Sequence, residues 1–156
     1  MKVLAIDPGY GRCGVAILEK RGGKEAYLYS DCVETSAGIP FEERLAAVAG
    51  EVERLIAAHA PDALAMEKLF FTNNAKTAMH VAEVRGAILH AAARVGVPVS
   101  EYTPGEIKSA TTGSGRADKK QITQMIHLLL KIEKRITLDD EYDAIAVGIT
   151  HLAQAR

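Results

Sequence analysis

The sequence predicts an α/β fold: a five-stranded mixed sheet, three antiparallel strands followed by parallel ones, flanked by helices. Three observations carry this reading. Two short apolar runs, Val3-Leu4-Ala5-Ile6 and Ala63-Leu64-Ala65-Met66, each end on a carboxylate, Asp7 and Glu67. Unbroken apolar runs of this length suit strands covered on both faces. A helical pattern lies between the two runs, which favours a right-handed crossover and so a parallel pair. Residues 3–33 hold three strand-like segments separated only by turn signals, the mark of an antiparallel meander.

Each element has a local reason. Pro8-Gly9 turns the chain after the first strand, and residues 15–18 form the second. Arg21-Gly22-Gly23 is a hairpin signal, and residues 25–33 alternate loosely as the third strand. Gly38-Ile39-Pro40 interrupts the chain. Residues 41–59 then place Leu45, Val48, Val52, Leu55 and Ile56 at helical spacing, and Pro61 closes that helix. After the strand at 63–66 comes Lys68-Leu69-Phe70-Phe71. Its aromatic pair is either a core plug or an exposed platform for unpaired bases.

Thr72-Asn73-Asn74 offers N-caps for a long, Ala-rich helix over 75–95. That helix carries two apolar stripes: Ala75, Met79, Ala82, Gly86, Leu89 and Ala93, and then Ala78, Val81, Ile88 and Ala92. Either one stripe faces a partner such as a twofold-related copy, or both are buried within the fold. Arg85 interrupts the apolar surface and needs a carboxylate or a phosphate. Residues 97–102 read as an outer strand. Thr103 with Pro104 opens a short helix around Ile107-Lys108, and residues 111–115 read as a flexible loop. Asp118 caps a helix to about Leu130 with Ile122, Met125, Ile126 and Leu129 on its apolar face. Lys119 and Lys120 stand in its first turn, against the helix dipole. The last helix opens around Asp139-Asp140-Glu141, with Asp139 or Asp140 as N-cap. Asp140 and Asp143 share a face.

The 156 residues argue for one domain spanning 1–156, and the 48% hydrophobic and 25% charged fractions are those of an ordinary globular protein. Cys13 and Cys32 have no metal spacing. With no signal peptide and no long apolar segment, they read as reduced thiols of a cytoplasmic protein with no membrane partner. The net charge is −1, but residues 105–135 hold seven basic and three acidic side chains, a segment of +4 on a body of −5. That asymmetry suits a polyanion held on one side, or a solvated helix face.

Parallel strands put their carboxyl ends along one edge, so Asp7 and Glu67 are expected side by side. Two adjacent carboxylates repel unless one is protonated or a cation lies between them. Taken alone, Asp7 reads equally as a turn residue, and Asp140 and Asp143 as acids favoured at a helix N-terminus.

The motifs IDPG, MEKLF, IKSATTGSGRADKKQI and DDEYDAIAVGITH together resemble the bacterial RuvC-type Holliday junction resolvases over nearly the whole chain. The resemblance implies the ribonuclease H-like fold. It implies a catalytic and metal-binding set of Asp7, Glu67, Asp140 and Asp143, with Asp139 as a competitor for the third place. It implies DNA contacts at Phe70, Lys108 and Lys119, with weaker support for Phe71 and Lys120. Arg85 joins the candidate DNA-binding residues because it needs an anionic partner. Four carboxylates without a His or Cys cluster select hard cations, two Mg²⁺ per site with Mn²⁺ as substitute. The implied activity is paired, symmetric cleavage of four-way junction DNA in recombination and repair. It is carried out by a homodimer working with the RuvA and RuvB branch-migration proteins. A sugar-kinase-like ATPase, an RNA-directed nuclease and a binding-only junction protein are the competing readings. The first needs a second domain, and the last leaves four carboxylates with nothing to offset their repulsion of DNA.

Overall fold

The structure, a computed structural model, describes residues 1–69 and 75–155. Strands β1 (Lys2–Asp7), β2 (Arg12–Arg21) and β3 (Lys24–Glu34) form the antiparallel meander. Gly22 and Gly23, with φ of 57° and 80°, supply the left-handed turn between β2 and β3. Helix α1 (Phe41–His59) ends where Ala60 enters the left-handed region at φ 45°, one residue before Pro61. It leads to β4 (Ala63–Glu67), which runs parallel to β1. Helix α2 (Ala75–Arg94) leads to β5 (Val99–Tyr102), parallel to β4. Helices α3 (Pro104–Thr112), α4 (Lys119–Leu129) and α5 (Asp139–Gln154) complete the chain. The strand order is β3-β2-β1-β4-β5, the mixed five-stranded sheet that the sequence predicts.

The sheet is covered on both faces, and side-chain size differs between them. Leu4, Ile6, Ile17, Leu64 and Met66 face α1 and α2, where Val48, Val52, Leu55, Val84 and Ile88 fill the layer. The opposite face presents Ala5, Ala16 and Ala65 to α5. Small residues let a helix approach closely. At Gly148 an added Cβ would lie 2.6 Å from Leu18 Cδ1 and 3.2 Å from the Ala5 Cβ. At Gly14 it would lie 1.8 Å from the Asp140 carbonyl oxygen. Helix α5 is therefore seated closely on β2 at its first turn and on β1 and β2 at Gly148.

Several local details differ from the sequence reading. Helix α3 runs through Thr111 and Thr112, so the expected loop begins only at Gly113, the left-handed C-cap. Its start matches: Thr103 and Glu106 form a reciprocal capping box with Pro104 in the first turn. In α4, Leu129 is exposed and Leu130, just beyond the helix, is buried in its place. Leu138 rather than Asp139 or Asp140 occupies the N-cap of α5, without a side-chain cap. All three acids thus stand inside the first turn, where the helix dipole favours them. On α2 the stripe of Met79, Ala82, Gly86, Leu89 and Ala93 is exposed, whereas Ala78, Ile88 and Ala92 are buried. Val84 and Ala91 are buried as well. Among the described residues no helix is long and apolar enough to cross a membrane.

Replacing Gly148 with alanine tests the seating of α5. The added methyl overpacks a site with no free space, and a loss of about 1–3 kcal/mol is expected in urea denaturation. An unchanged midpoint would mean that α5 is not held this closely.

Candidate active site

Asp7 and Glu67 end neighbouring parallel strands. The register runs from Val3 opposite Ala63 to Ile6 opposite Met66, so both carboxylates emerge at the same edge. Asp7 is also paired in register with Gly14 of β2, and Gly14 is the residue pressed against the Asp140 carbonyl. This contact brings the first turn of α5 to the ends of β1 and β4. Electrostatics records the result. The Asp7 carboxyl is pushed up to about 7, first by burial and then by the charges of Asp143, Glu67 and Asp140. Burial and Asp143 also raise Glu67, against the opposing pull of Arg85, Lys108 and Lys119. Asp143 is raised by burial in spite of Lys119. Asp7, Glu67, Asp140 and Asp143 therefore share one electrostatic site.

Cations surround this site. Lys119 Nζ lies 3.3 Å from both Asp139 Oδ2 and Asp143 Oδ2. Arg12 Nη1 lies 3.5 Å from Asp140 Oδ2. Lys108 acts on Glu67 through its charge. Lys120, next to Lys119, is exposed and makes no ion pair among the described residues. A cleft of about 250 Å³ runs beside the acids, lined by Asp7, Pro8, Glu67, Lys68, Leu69, Val81 and Arg85.

Arg85 corrects an expectation. The anion it needs is supplied within the chain: its side chain is buried, donating to the Glu67 carbonyl oxygen and pairing with Glu101 of β5. Its guanidinium braces the end of β4 from behind, so its partner is a carboxylate of the chain itself. Phe70 and Phe71 lie outside the described residues. Arg12 and Gly14 belong to the site but were not singled out by the sequence; only their contacts with α5 mark them.

The donor set fits a hard divalent cation. It consists of carboxylate oxygens alone, partly buried and mutually repelling, and a cation is what would relieve that repulsion. Among the described residues no three such side chains close into a ready-made cage. Lys119 stands against Asp143 and Asp139 as the positive charge present.

Comparison with known proteins decides the family. The family model described as "Crossover junction endodeoxyribonuclease RuvC" matches residues 3–151. The chain belongs to the RuvC family. The crossover junction endodeoxyribonuclease RuvC of Moorella thermoacetica is 43% identical over 155 residues, covering 99% of this chain and 93% of that protein. The RuvC of Thermotoga petrophila is 40% identical over 156 residues, covering 100% and 94%. Among solved structures, Thermus thermophilus RuvC in complex with a Holliday junction substrate superposes with a TM-score of 0.94 at 32% identity. It covers 100% of this chain and 95% of that one. The RuvC fold, the ribonuclease H-like architecture expected from the sequence, accounts for the observed mixed sheet.

The raised Asp7 carboxyl has a measurable cost without a cation. Below pH 3.8 the group is protonated folded or unfolded and adds nothing. Between 3.8 and 7 the unfolded chain releases the proton that the folded state keeps, so stability falls as pH rises and levels off above 7. Asp7→Asn is therefore expected to raise Tm by on the order of 5 °C at pH 8 in a chelator, and by less at pH 5. Equal effects at the two pH values would show that Asp7 is not strained by its surroundings.

Proposed function

We propose that this chain is a structure-specific, metal-dependent endodeoxyribonuclease. It resolves four-way (Holliday) DNA junctions by paired, symmetric phosphodiester hydrolysis in recombination and repair. The observation that carries the reading is the convergence of Asp7, Glu67 and the acidic turn of α5 on one sheet edge, in a chain of the RuvC family.

Asp7, Glu67, Asp140 and Asp143 are the residues that would hold the cations, Mg²⁺ first and two per site, with Mn²⁺ as substitute. When bound, such ions supply Lewis acidity at the scissile phosphate and lower the pKa of a water nucleophile. The protein's own part is placement and charge. The strand ends fix Asp7 and Glu67, and their partial burial limits how far water solvates them. Lys119 is in reach to offset charge on the phosphate once it leaves Asp143, and Lys108 holds the backbone near Glu67. Arg12 orients Asp140, and Arg85 fixes the strand end that carries Glu67. Phe70 stacks on a base at the junction crossover, with Phe71 and Lys120 in supporting places.

The chain works as a single domain over 1–156 and as a homodimer, two sites cutting two strands of like polarity. The exposed stripe of Met79, Ala82, Gly86, Leu89 and Ala93 suits a twofold contact. Met79 is 66% exposed and the small residues around it admit a close helix approach. Cytoplasmic work beside RuvA and RuvB completes the reading.

A synthetic four-way junction tests it. Cleavage is expected with Mg²⁺ and not with Ca²⁺, while both support binding. Asp7→Asn is expected to bind the junction and not cut it. Cutting by Asp7→Asn, or by wild type in a chelator, would overturn the assignment.

The stacking role is tested separately. Phe70→Ala is expected to bind the junction and to cut about tenfold more slowly than Phe71→Ala, the loss of one base–aromatic stack. Equal rates for both variants and wild type would remove that role.

A further inference from the structure

Glu141 lies in the first turn of α5, between Asp140 and Asp143 in sequence, yet it is only 4% exposed. Its carboxylate accepts a hydrogen bond from Ser30 Oγ at 2.5 Å, and it meets Lys134 Nζ at 2.6 Å. Ser30, on β3, is buried, and its hydroxyl lies 2.8 Å from the Tyr27 hydroxyl. With Ser30 donating to Glu141, Tyr27 donates to Ser30. Lys134 also donates to the Ser30 carbonyl oxygen at 2.8 Å and stands 3.9 Å from Asp31. The acidic turn of α5 is thus tied to β3 and to the segment that leads into the helix. Its other fixed point is Gly14 of β2, against the Asp140 carbonyl. Both ties fall at the start of the turn that carries Asp140 and Asp143.

We propose that Glu141, held by Ser30 and Lys134, is a positioning residue that sets Asp140 and Asp143 for divalent-cation binding. The inference rests on the assignment of those carboxylates in the preceding subsection. A fourth acid in this turn gains from the helix dipole but adds repulsion and the cost of burying a carboxylate. Glu141 is buried while Lys134 is 41% exposed, so the carboxylate carries most of the desolvation cost, and an apolar side chain in its place can be tolerated without loss. What the charged network adds is direction: hydrogen bonds fix where the helix turn sits in a way that apolar packing does not. Groups that orient ligating carboxylates typically change metal affinity by 10–100-fold when removed.

The test compares wild type, the double variant Glu141→Leu/Lys134→Met, and Ser30→Ala. Each is titrated with Mg²⁺ alone by calorimetry, melted without metal, and assayed for junction binding in chelator. Both variants are expected to bind Mg²⁺ about tenfold or more weakly. Their junction affinity without metal is expected to match wild type, and the double variant to melt at or above it. Mg²⁺ affinities equal to wild type overturn this inference and leave the carboxylate assignment standing. Wild type that takes up no Mg²⁺ overturns both. Weakening seen only alongside a melting temperature lowered by more than about 5 °C marks general loosening and also overturns the positioning role. If the double variant does not fold, Ser30→Ala, which keeps the ion pair and removes the hydrogen bond from β3 to the Glu141 carboxylate, decides the matter.

Discussion

Helix α5 can carry carboxylates to the sheet edge only because small residues let it lie almost on the strands. Ala5, Ala16 and Ala65 face it from three adjacent strands, and Gly148 admits Leu18 where any side chain would collide. Gly14 does the same for the Asp140 carbonyl. The opposite face holds Leu4, Ile6, Ile17, Leu64 and Met66, and there α1 and α2 stand off by the thickness of those side chains. The sheet is thus thin on the side that bears the site. A larger residue at any of these seams would lift α5 and carry Asp140 and Asp143 away from Asp7.

That seating places like charges together, and the fold bears the cost locally. Burial and three neighbouring acids push the Asp7 carboxyl up to about 7. Cations of the chain offset part of the repulsion: Lys119 at Asp143, Arg12 at Asp140 and the buried Arg85 behind Glu67. Elsewhere local rules are obeyed. Two capping boxes open α3 and α4, and the left-handed Gly113 closes α3. Like charges gathered at one sheet edge are what a site evolved for binding a cation looks like.

The strands were legible because their signals are local: apolar runs, the Gly22-Gly23 hairpin, Pro at helix boundaries. Asp7 and Glu67 were legible for the same reason, each ending such a run, and β1–β4 pairing makes them neighbours. The tertiary contacts were not legible. Asp139, Asp140 and Glu141 are consecutive acids, and only packing decides that Asp139 is exposed, Asp140 meets Arg12 and Glu141 is buried on Ser30. Arg85 plainly needed an anion, but nothing near it in sequence says that Glu101 supplies one. The N-cap of α5 was misplaced because acids are good caps, whereas here they are held inside the first turn by contacts with β2, β3 and α4.

The basic segment acquires its meaning from this arrangement. An acidic edge repels a DNA backbone, and α3 and α4 pack against α5, which brings Lys108 and Lys119 to the same side as the carboxylates. Lys119 Nζ is within 3.3 Å of Asp143, so ammonium and divalent cation compete for one carboxylate. A divalent cation held by Asp143 would compete with Lys119 for the carboxylate and would leave the ammonium beside the acids, where it could meet a phosphate. Charge neutralisation by the ion and charge recruitment by the lysine would then be coupled through a single side chain. For that reason the segment's position matters more to the chemistry than the near-zero net charge of the chain.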